Sequence, residues 1–151
     1  MKKQIASSQK GQTLLEIVFA VGVVAIIITA LVVAGTSSLR YGQESRLRSA
    51  GVKYAQEALE LAREIRDTNT WDVFLAYSGT GSQTWCVDAA RAWTQDDGSG
   101  CGQIETGSQF SRSVIFTWND PIMSVVSRVS WHAGSTELST QLQTYLTQWR
   151  Q

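Results

Sequence analysis

The chain has few of the residues that usually carry catalysis or bind metals. Its 151 residues include one histidine, His132, and two cysteines, Cys86 and Cys101. These three side chains do not form a zinc ligand set at a recognised spacing. The sequence also lacks a readable set of nucleophile, base and orienting residue, and it lacks a phosphate-binding glycine loop. We therefore expect a protein that is not an enzyme and that has no cofactor or bound metal.

Concentrated positive charge is missing as well. The whole chain holds 13 basic and 13 acidic side chains. Because Lys2, Lys3 and Lys10 all precede residue 12, the remaining residues hold 10 basic and 13 acidic side chains. A surface that binds nucleic acid needs a basic patch that neutralises phosphates. We therefore expect no nucleic-acid binding by the C-terminal part of the chain.

Charge is scarcest in residues 14–34, where Glu16 is the only ionisable side chain. As a helix, these 21 residues would span about 30 Å, which is the thickness of the hydrocarbon core of a bilayer. The three lysines before the segment, with no acidic residue among them, favour a cytoplasmic N-terminus. The sequence thus predicts one membrane helix, with its N-terminus inside and its C-terminus outside.

Three other interpretations of this segment stay open. A secretory signal peptide would be cut after residues 32–34, before Gly35, although the apolar run exceeds the usual length of about 7 to 15 residues. A plain single-pass anchor would use Glu16 only to complete a capping box with Thr13. A buried core helix of a soluble protein is the third interpretation, and the unbroken apolar length argues against it.

Residues 10–16, with the sequence KGQTLLE, and the apolar segment after them resemble the N-terminal signature of type IV prepilins and the related pseudopilins. The resemblance implies that a membrane-embedded prepilin peptidase cuts after Gly11 and leaves Gln12 as the first mature residue, the position that is N-methylated in this family. It also implies that the glutamate that is the fifth mature residue in this family is Glu16 here, and that the apolar helix first holds the subunit in the membrane and then forms the core of a helical filament. Two features depart from the family pattern. The first mature residue is usually large and apolar, and many members have a proline within the membrane helix, whereas the only proline here is Pro121.

The spacing of Gln12 and Glu16 suggests how assembly would work. Cleavage after Gly11 would create an α-amine on Gln12, which is mostly protonated at neutral pH because the pKa of such a group lies near ~8. Gln12 and Glu16 lie one helical turn apart and share a face. Our hypothesis is that Glu16 of one subunit attracts the Gln12 amine of a neighbour in the filament.

The spacing of apolar residues in 36–70 predicts that the same helix continues there as an amphipathic helix. The charged positions between the apolar ones include Lys53 and Glu57, a favourable spacing for an exposed ion pair. We interpret the charged side as a solvated face that requires no binding site. The apolar positions recur on the opposite face: Leu47, Tyr54, Ala58, Leu61 and Ile65.

The composition changes after Trp71, and we name residues 71–151 the headpiece. Alternation of apolar and polar residues predicts strands at 113–118, 123–131 and 138–146, with a hairpin turn at 132–135 between the last two. Residues 72–110 contain turn signals and no readable strand. A long N-terminal helix packed on a small antiparallel sheet is the α+β lollipop fold that the resemblance implies.

The two cysteines of the headpiece, Cys86 and Cys101, are expected to form a disulfide, because the headpiece would be exported to an oxidising compartment. A disulfide that closes a loop of this size contributes about 3 kcal/mol in the chain-entropy model. The chain also has six tryptophans, all after residue 70. We expect them in the core or at subunit interfaces, since large aromatic side chains dominate small cores.

A calcium site in the headpiece stays open as an alternative. Asp88, Asp96 and Asp97 supply carboxylates, and some pseudopilins bind calcium. However, the full calcium-loop spacing is absent, and Asp-Gly is ordinary turn chemistry.

Together these features predict a structural subunit of a type IV pilin-like surface filament for motility, adhesion or DNA uptake. The chain divides into a basic leader (1–11), a transmembrane or filament-core half-helix (12–35), an amphipathic half-helix (36–70) and the headpiece (71–151). The expected partners are further copies or other pilins, the prepilin peptidase and an inner-membrane assembly platform. The subunit would lie in the inner membrane before assembly and in an extracellular filament afterwards. The alternatives are a minor pilin or type II secretion pseudopilin and, from another class, a monomeric membrane-anchored extracytoplasmic binding protein.

Overall fold

A computed structural model describes residues 12–148 of the chain, with side chains from Leu14 onward. The leader, including the predicted cleavage residue Gly11, lies outside the described residues, and so does Trp149. The described part forms two compact units, of which the first ends at Gln43 and the second begins at Glu44.

One long helix and five antiparallel strands make up the described part, so the predicted α+β class is confirmed. The strand order in the single sheet is β2-β1-β3-β4-β5, and each neighbouring pair is antiparallel. A 3-10 turn at Ala76–Ser78 follows the short second helix. The elements are α1 (Gln12–Thr68), α2 (Trp71–Leu75), β1 (Ser82–Val87), β2 (Trp93–Gln95), β3 (Phe110–Asn119), β4 (Ile122–Ala133) and β5 (Thr136–Leu146).

The part of α1 in the first unit is apolar on all sides. Its large apolar side chains between Leu14 and Val33 are 52% to 70% exposed. A helix that is apolar all round matches the interior of a membrane or of a helix bundle, whereas a helix on a soluble core is apolar on one stripe only. This segment is long and apolar enough to cross a membrane.

The part of α1 in the second unit packs on the sheet through one face. Ala55, Ala58 and Ala62 are fully buried, and Leu59 and Leu61 are nearly so. Small alanine side chains let a helix backbone come close to a sheet, and alanine has the highest intrinsic helix propensity. The predicted amphipathic face is therefore confirmed.

α1 ends at Thr68, and the next residue, Asn69, caps the last turn of the helix. The side-chain amide of Asn69 donates to the carbonyl of Ile65 at 2.8 Å, and its backbone N–H donates to the same oxygen at 3.2 Å. Asparagine is favoured at helix ends for this reason. The chain then turns into α2.

The core of the second unit contains two clusters on the sheet face that meets α1. The larger cluster includes Phe74, Phe116 and Val125, and the smaller one includes Phe110 and Trp131. Four further tryptophans are partly buried against the larger cluster: Trp71, Trp85, Trp93 and Trp118. The prediction that the tryptophans pack in the core is confirmed for these five.

The three predicted strands are present: β3 and β4 extend beyond both predicted ends, and β5 starts two residues earlier and ends at Leu146 as predicted. Strand β4 runs through His132 and Ala133, which pair with Glu137 and Thr136 of β5, so the turn shrinks to two residues. Gly134 adopts a positive φ of 66° in this turn, a conformation that glycine reaches without strain. The alternating residues of β5 from Leu138 to Leu146 share the inward face, as predicted.

The structure adds α2, β1 and β2, which the sequence did not indicate. Strand β1 pairs with the predicted strand β3, for example Ser82 with Thr117 and Trp85 with Val114. The sequence of β1, SQTWCV, has little apolar alternation. Pairing with a distant strand therefore determines its conformation more than its own propensity does.

Candidate functional site

The apolar part of α1 presents a single charged side chain. Glu16 is exposed in the second turn of the helix, among Leu14, Leu15 and Ile17, which are also exposed. Within residues 14–148, its carboxylate has no hydrogen-bond or ion-pair partner. Gln12 lies one turn earlier in α1.

The other polar side chains of this segment satisfy their own hydrogen bonds. The Thr29 hydroxyl donates to the carbonyl of Ala25 or of Ile26, each at 2.9 Å. The Thr36 hydroxyl donates to the carbonyl of Val33 at 3.0 Å. Hydroxyl groups bonded in this way can enter an apolar environment without an outside partner. Glu16 therefore differs in kind from every other polar group between residues 14 and 36.

The capping-box interpretation of Glu16 does not agree with the helix boundary. The N-cap residue of a capping box precedes the helix and has a non-helical backbone. In the structure, Thr13 already lies inside α1, which includes Gln12. The helix start therefore does not account for a carboxylate at position 16.

The predicted disulfide is present in the headpiece. Cys86 of β1 is bonded to Cys101 in the loop between β2 and β3, with a Cα–Cα distance of 5.2 Å. Cys86 lies opposite Ser113 of β3 and Thr94 of β2, on the sheet face that points away from α1. The bond therefore ties the loop to the outer face of the sheet.

A polar cleft of about 310 Å³ lies along the loop that the disulfide closes. It is lined by Asp88, Asp96 and Asp97, the three carboxylates of the calcium alternative. Each of them accepts backbone hydrogen bonds from its own loop: Asp88 from Ala92 at 2.8 Å, Asp96 from Gly98 and Gly100 at 3.0 Å, and Asp97 from Ser99 at 3.0 Å. These are turn-forming interactions.

The electrostatics of this loop agree with that role. The Ser99 hydroxyl and backbone N–H donate to Asp97 and lower the pKa of its carboxyl below the ordinary value of 3.8. Among residues 12–148, no group of three or more histidine, cysteine, aspartate or glutamate side chains is arranged to hold a metal ion.

Arg112 is a structural residue that the sequence analysis did not single out. Its side chain is fully buried between β1 and α1. The guanidinium donates to the carbonyl of Val87 at 3.2 Å, to that of Asp88 at 2.8 Å and to that of Tyr54 at 3.3 Å. The guanidinium also forms an ion pair with the Glu57 carboxylate at 3.0 Å. The partner of Glu57 is therefore Arg112 of β3, and not Lys53, which the helical spacing in the sequence favoured.

A sequence signal for Arg112 does exist. Phe110, Val114 and Phe116 occupy inward positions of β3, and Arg112 shares their register. A charged residue in the inward register of a strand must find buried partners, because an unpaired buried charge is costly.

No protein-family model, no curated protein and no solved structure matches this chain. The exposed apolar helix with its single carboxylate and the headpiece packed on the rest of α1 are the features that bear on function.

Proposed function

We propose that this chain is the structural subunit of a type IV pilin-like filament. In this proposal the prepilin peptidase cuts after Gly11, and the mature subunits polymerise by burying their apolar helices in a common bundle. The observation that carries the proposal is the apolar helix of residues 14–34, exposed on all sides, with Glu16 as its only charge.

An apolar surface exposed on every side of the helix calls for surroundings that cover it on every side. A bilayer meets this need before assembly, and a bundle of identical helices meets it afterwards. A plain membrane anchor needs the apolar residues but not Glu16, since a charge near the membrane lowers insertion efficiency. Assembly gives that carboxylate a role.

The role we assign to Glu16 is recognition of a neighbouring N-terminus. Cleavage would place the Gln12 α-amine one turn before Glu16 on the same helical face. In a low-dielectric bundle the carboxylate of one subunit and the amine of the next attract each other strongly. This contact would fix the axial position at which a subunit enters the filament.

The same proposal specifies location and partners. Lys2, Lys3 and Lys10 keep the leader in the cytoplasm, and the disulfide supports export of the headpiece. The subunit would wait in the inner membrane, meet the peptidase and the assembly platform there, and end in an extracellular filament with copies of itself or with other pilins.

Processing is the first test. N-terminal sequencing and mass spectrometry of the mature chain should give Gln12 as the first residue, and the mass also reveals methylation. A chain that begins at Gly35 would indicate a signal peptidase, and one that begins at Met1 an uncleaved anchor. Either result contradicts the proposal.

Assembly is the second test. Glu16→Ala should be inserted and cleaved like the wild type and should form far fewer filaments in electron micrographs. Glu105→Ala is the matched control, since it removes one exposed headpiece carboxylate and should leave the filament yield unchanged. A normal yield for Glu16→Ala would rule out the assigned role.

Two other functions remain as candidates. A minor pilin or type II secretion pseudopilin would use the same processing and helix, and the abundance of the subunit in purified filaments separates it from a major pilin. A monomeric membrane-anchored binding protein is favoured by one observation, the 310 Å³ polar cleft. Such a protein would stay monomeric and would form no filaments.

A further inference from the structure

The exposed side of α1 in the second unit carries a line of charged residues at seven-residue intervals. Arg46, Lys53, Glu60 and Asp67 are all exposed. A step of seven residues returns to nearly the same helical direction, with a drift of about 20°. The four side chains therefore form one stripe on the side opposite the buried alanines, and we name it the charge stripe.

The charge stripe is segregated by sign along the helix. Its first two members, Arg46 and Lys53, are basic, and its last two, Glu60 and Asp67, are acidic. Within residues 14–148, Arg46 and Lys53 make no ion pair or side-chain hydrogen bond. Glu60 pairs with Arg63 and Asp67 with Arg66, yet the two acidic side chains remain 67% and 53% exposed. An ionised carboxylate can accept from more than one donor.

The seven-residue spacing between members of the charge stripe adds no stability to the helix that carries it. Exposed charges stabilise their own helix when opposite signs lie three or four residues apart. Neighbours on the stripe are seven residues apart, about 10 Å, and the two neighbours within each half repel each other weakly. The order of signs along the stripe is complementary to another surface, and the surface with the matching order of charges is the same stripe on a second copy.

We propose that the charge stripe is a docking surface for a second copy of this chain, parallel to the first and shifted by fourteen residues, about 21 Å along the helix. Arg46 and Lys53 of one subunit then face Glu60 and Asp67 of its neighbour. The inference rests on the proposed filament, which makes the subunits parallel. In parallel copies that are in register, like charges would face each other. In antiparallel copies, the apolar segments would point in opposite directions.

Charge reversal in the full-length chain is the main experiment. Arg46→Glu with Lys53→Glu should lower filament yield about tenfold, because two attractive pairs become two repulsive ones. Glu60→Lys with Asp67→Lys should lower it by a similar factor. All four substitutions together restore the complementary order with inverted signs, so this variant should recover filaments.

The matched control changes the net charge by the same amount away from the stripe. Arg91 and Arg128 are exposed in the headpiece, and reversal of both to glutamate should leave the yield unchanged. Raising the ionic strength from about 0.1 M to 1 M should weaken wild-type assembly, since the screening length falls from about 10 Å to 3 Å.

The shift between subunits has its own readout. A variant with Arg46→Cys and Glu60→Cys should form a ladder of disulfide-linked subunits in oxidised filaments, because position 46 of one copy meets position 60 of the next. Arg46→Cys alone should give no ladder. Linking through position 46 alone would indicate in-register packing and overturn the inference.

The outcomes separate this inference from the proposed function. Wild-type filaments together with a full yield from the Arg46→Glu, Lys53→Glu variant would contradict the charge stripe only. Failure of the four-fold inversion to recover filaments would contradict it as well. A wild-type chain that stays uncleaved and forms no filaments would contradict the proposed function, and the inference would fall with it.

Discussion

The two parts of α1 differ in how much of their apolar surface is covered by the rest of the chain. Up to Gln43, the helix exposes valine, isoleucine and leucine in every direction, and no other described residue of the first unit covers them. From Glu44 onward, the helix concentrates its apolar residues on one face, and the sheet covers that face. The apolar side chains of the first part stay uncovered within the described residues, whereas those of the second are covered by its own chain.

The side chains at the contact explain the difference. On the sheet-facing side of the second part, alanines and Gly51 permit close approach, and Trp131 fills the space beside Gly51. The first part has bulky β-branched residues on all faces, and no atom of the described residues lies within 4 Å of a Cβ placed at Gly22, Gly35 or Gly42. One part is shaped for a fixed internal contact, and the other presents apolar side chains on every face.

Two phenylalanines provide the test of this comparison with the largest expected effect. Phe116 is fully buried and lies 5.4 to 5.9 Å from the rings of Tyr77, Trp93 and Phe74, whereas Phe19 in the first unit is 67% exposed. Phe116→Ala should lower the free energy of unfolding of the headpiece by about 3–5 kcal/mol. Phe19→Ala should leave it unchanged. Denaturant unfolding of the full chain in detergent, followed by tryptophan emission, measures both, and equal losses would contradict the comparison.

The buried Arg112 provides a second test, which measures how much its hydrogen bonds stabilise the second unit. Arg112→Met keeps the aliphatic stem but removes the donors to Val87, Asp88 and Glu57. We expect a loss of about 3 kcal/mol in the same unfolding experiment, because buried carbonyl groups lose their partners. Arg128→Met on the exposed face of β4 is the control, with an expected change within about 0.5 kcal/mol. Similar losses in the two variants would show that burial of Arg112 is not what matters.

Two helical glycines test the same contrast with a smaller effect. A Cβ at Gly51 would lie 2.8 Å from Cζ3 of the buried Trp131 ring, whereas Gly42 has open space around it. Gly51→Ala should therefore destabilise the second unit by about 1 kcal/mol even after the gain in helix propensity. Gly42→Ala should stabilise its helix by up to about 1 kcal/mol. Hydrogen exchange of the amides near each position should speed up in the first variant and slow down in the second.

Periodic segments explain why much of this fold is predictable from sequence. The inward residues Leu138, Leu142 and Leu146 alternate with polar ones, so β5 is recognisable without its partner. The apolar run and the Ala-rich face of α1 are equally local signals. Glu16 stands out for a local reason too, as the only charge in its segment, although its role in assembly stays a prediction.

The unpredicted features depend on distant residues. Strand β1 forms because β3 lies beside it, some thirty residues later in the chain. Arg112 is stable inside because its partners come from the end of β1 and from Tyr54 and Glu57 of α1. The predicted Lys53–Glu57 ion pair is wrong for the same reason, because helical spacing carries no information about the Arg112 cation on the sheet.

The smallest expected effect concerns Asp97, an exposed residue in the loop that the disulfide closes. Hydrogen bonds from Ser99 lower the pKa of its carboxyl in the folded state. Because the folded pKa lies below the unfolded one, the ionised carboxylate stabilises the turn above about pH 4, and this contribution is lost as the pH falls through the folded pKa. Carboxyl ¹³C shifts followed by NMR should give a pKa below 3.8 in the wild type. Ser99→Ala should raise it toward that ordinary value, since the hydroxyl donor is removed, and an identical titration in both proteins would show that Ser99 does not hold the turn.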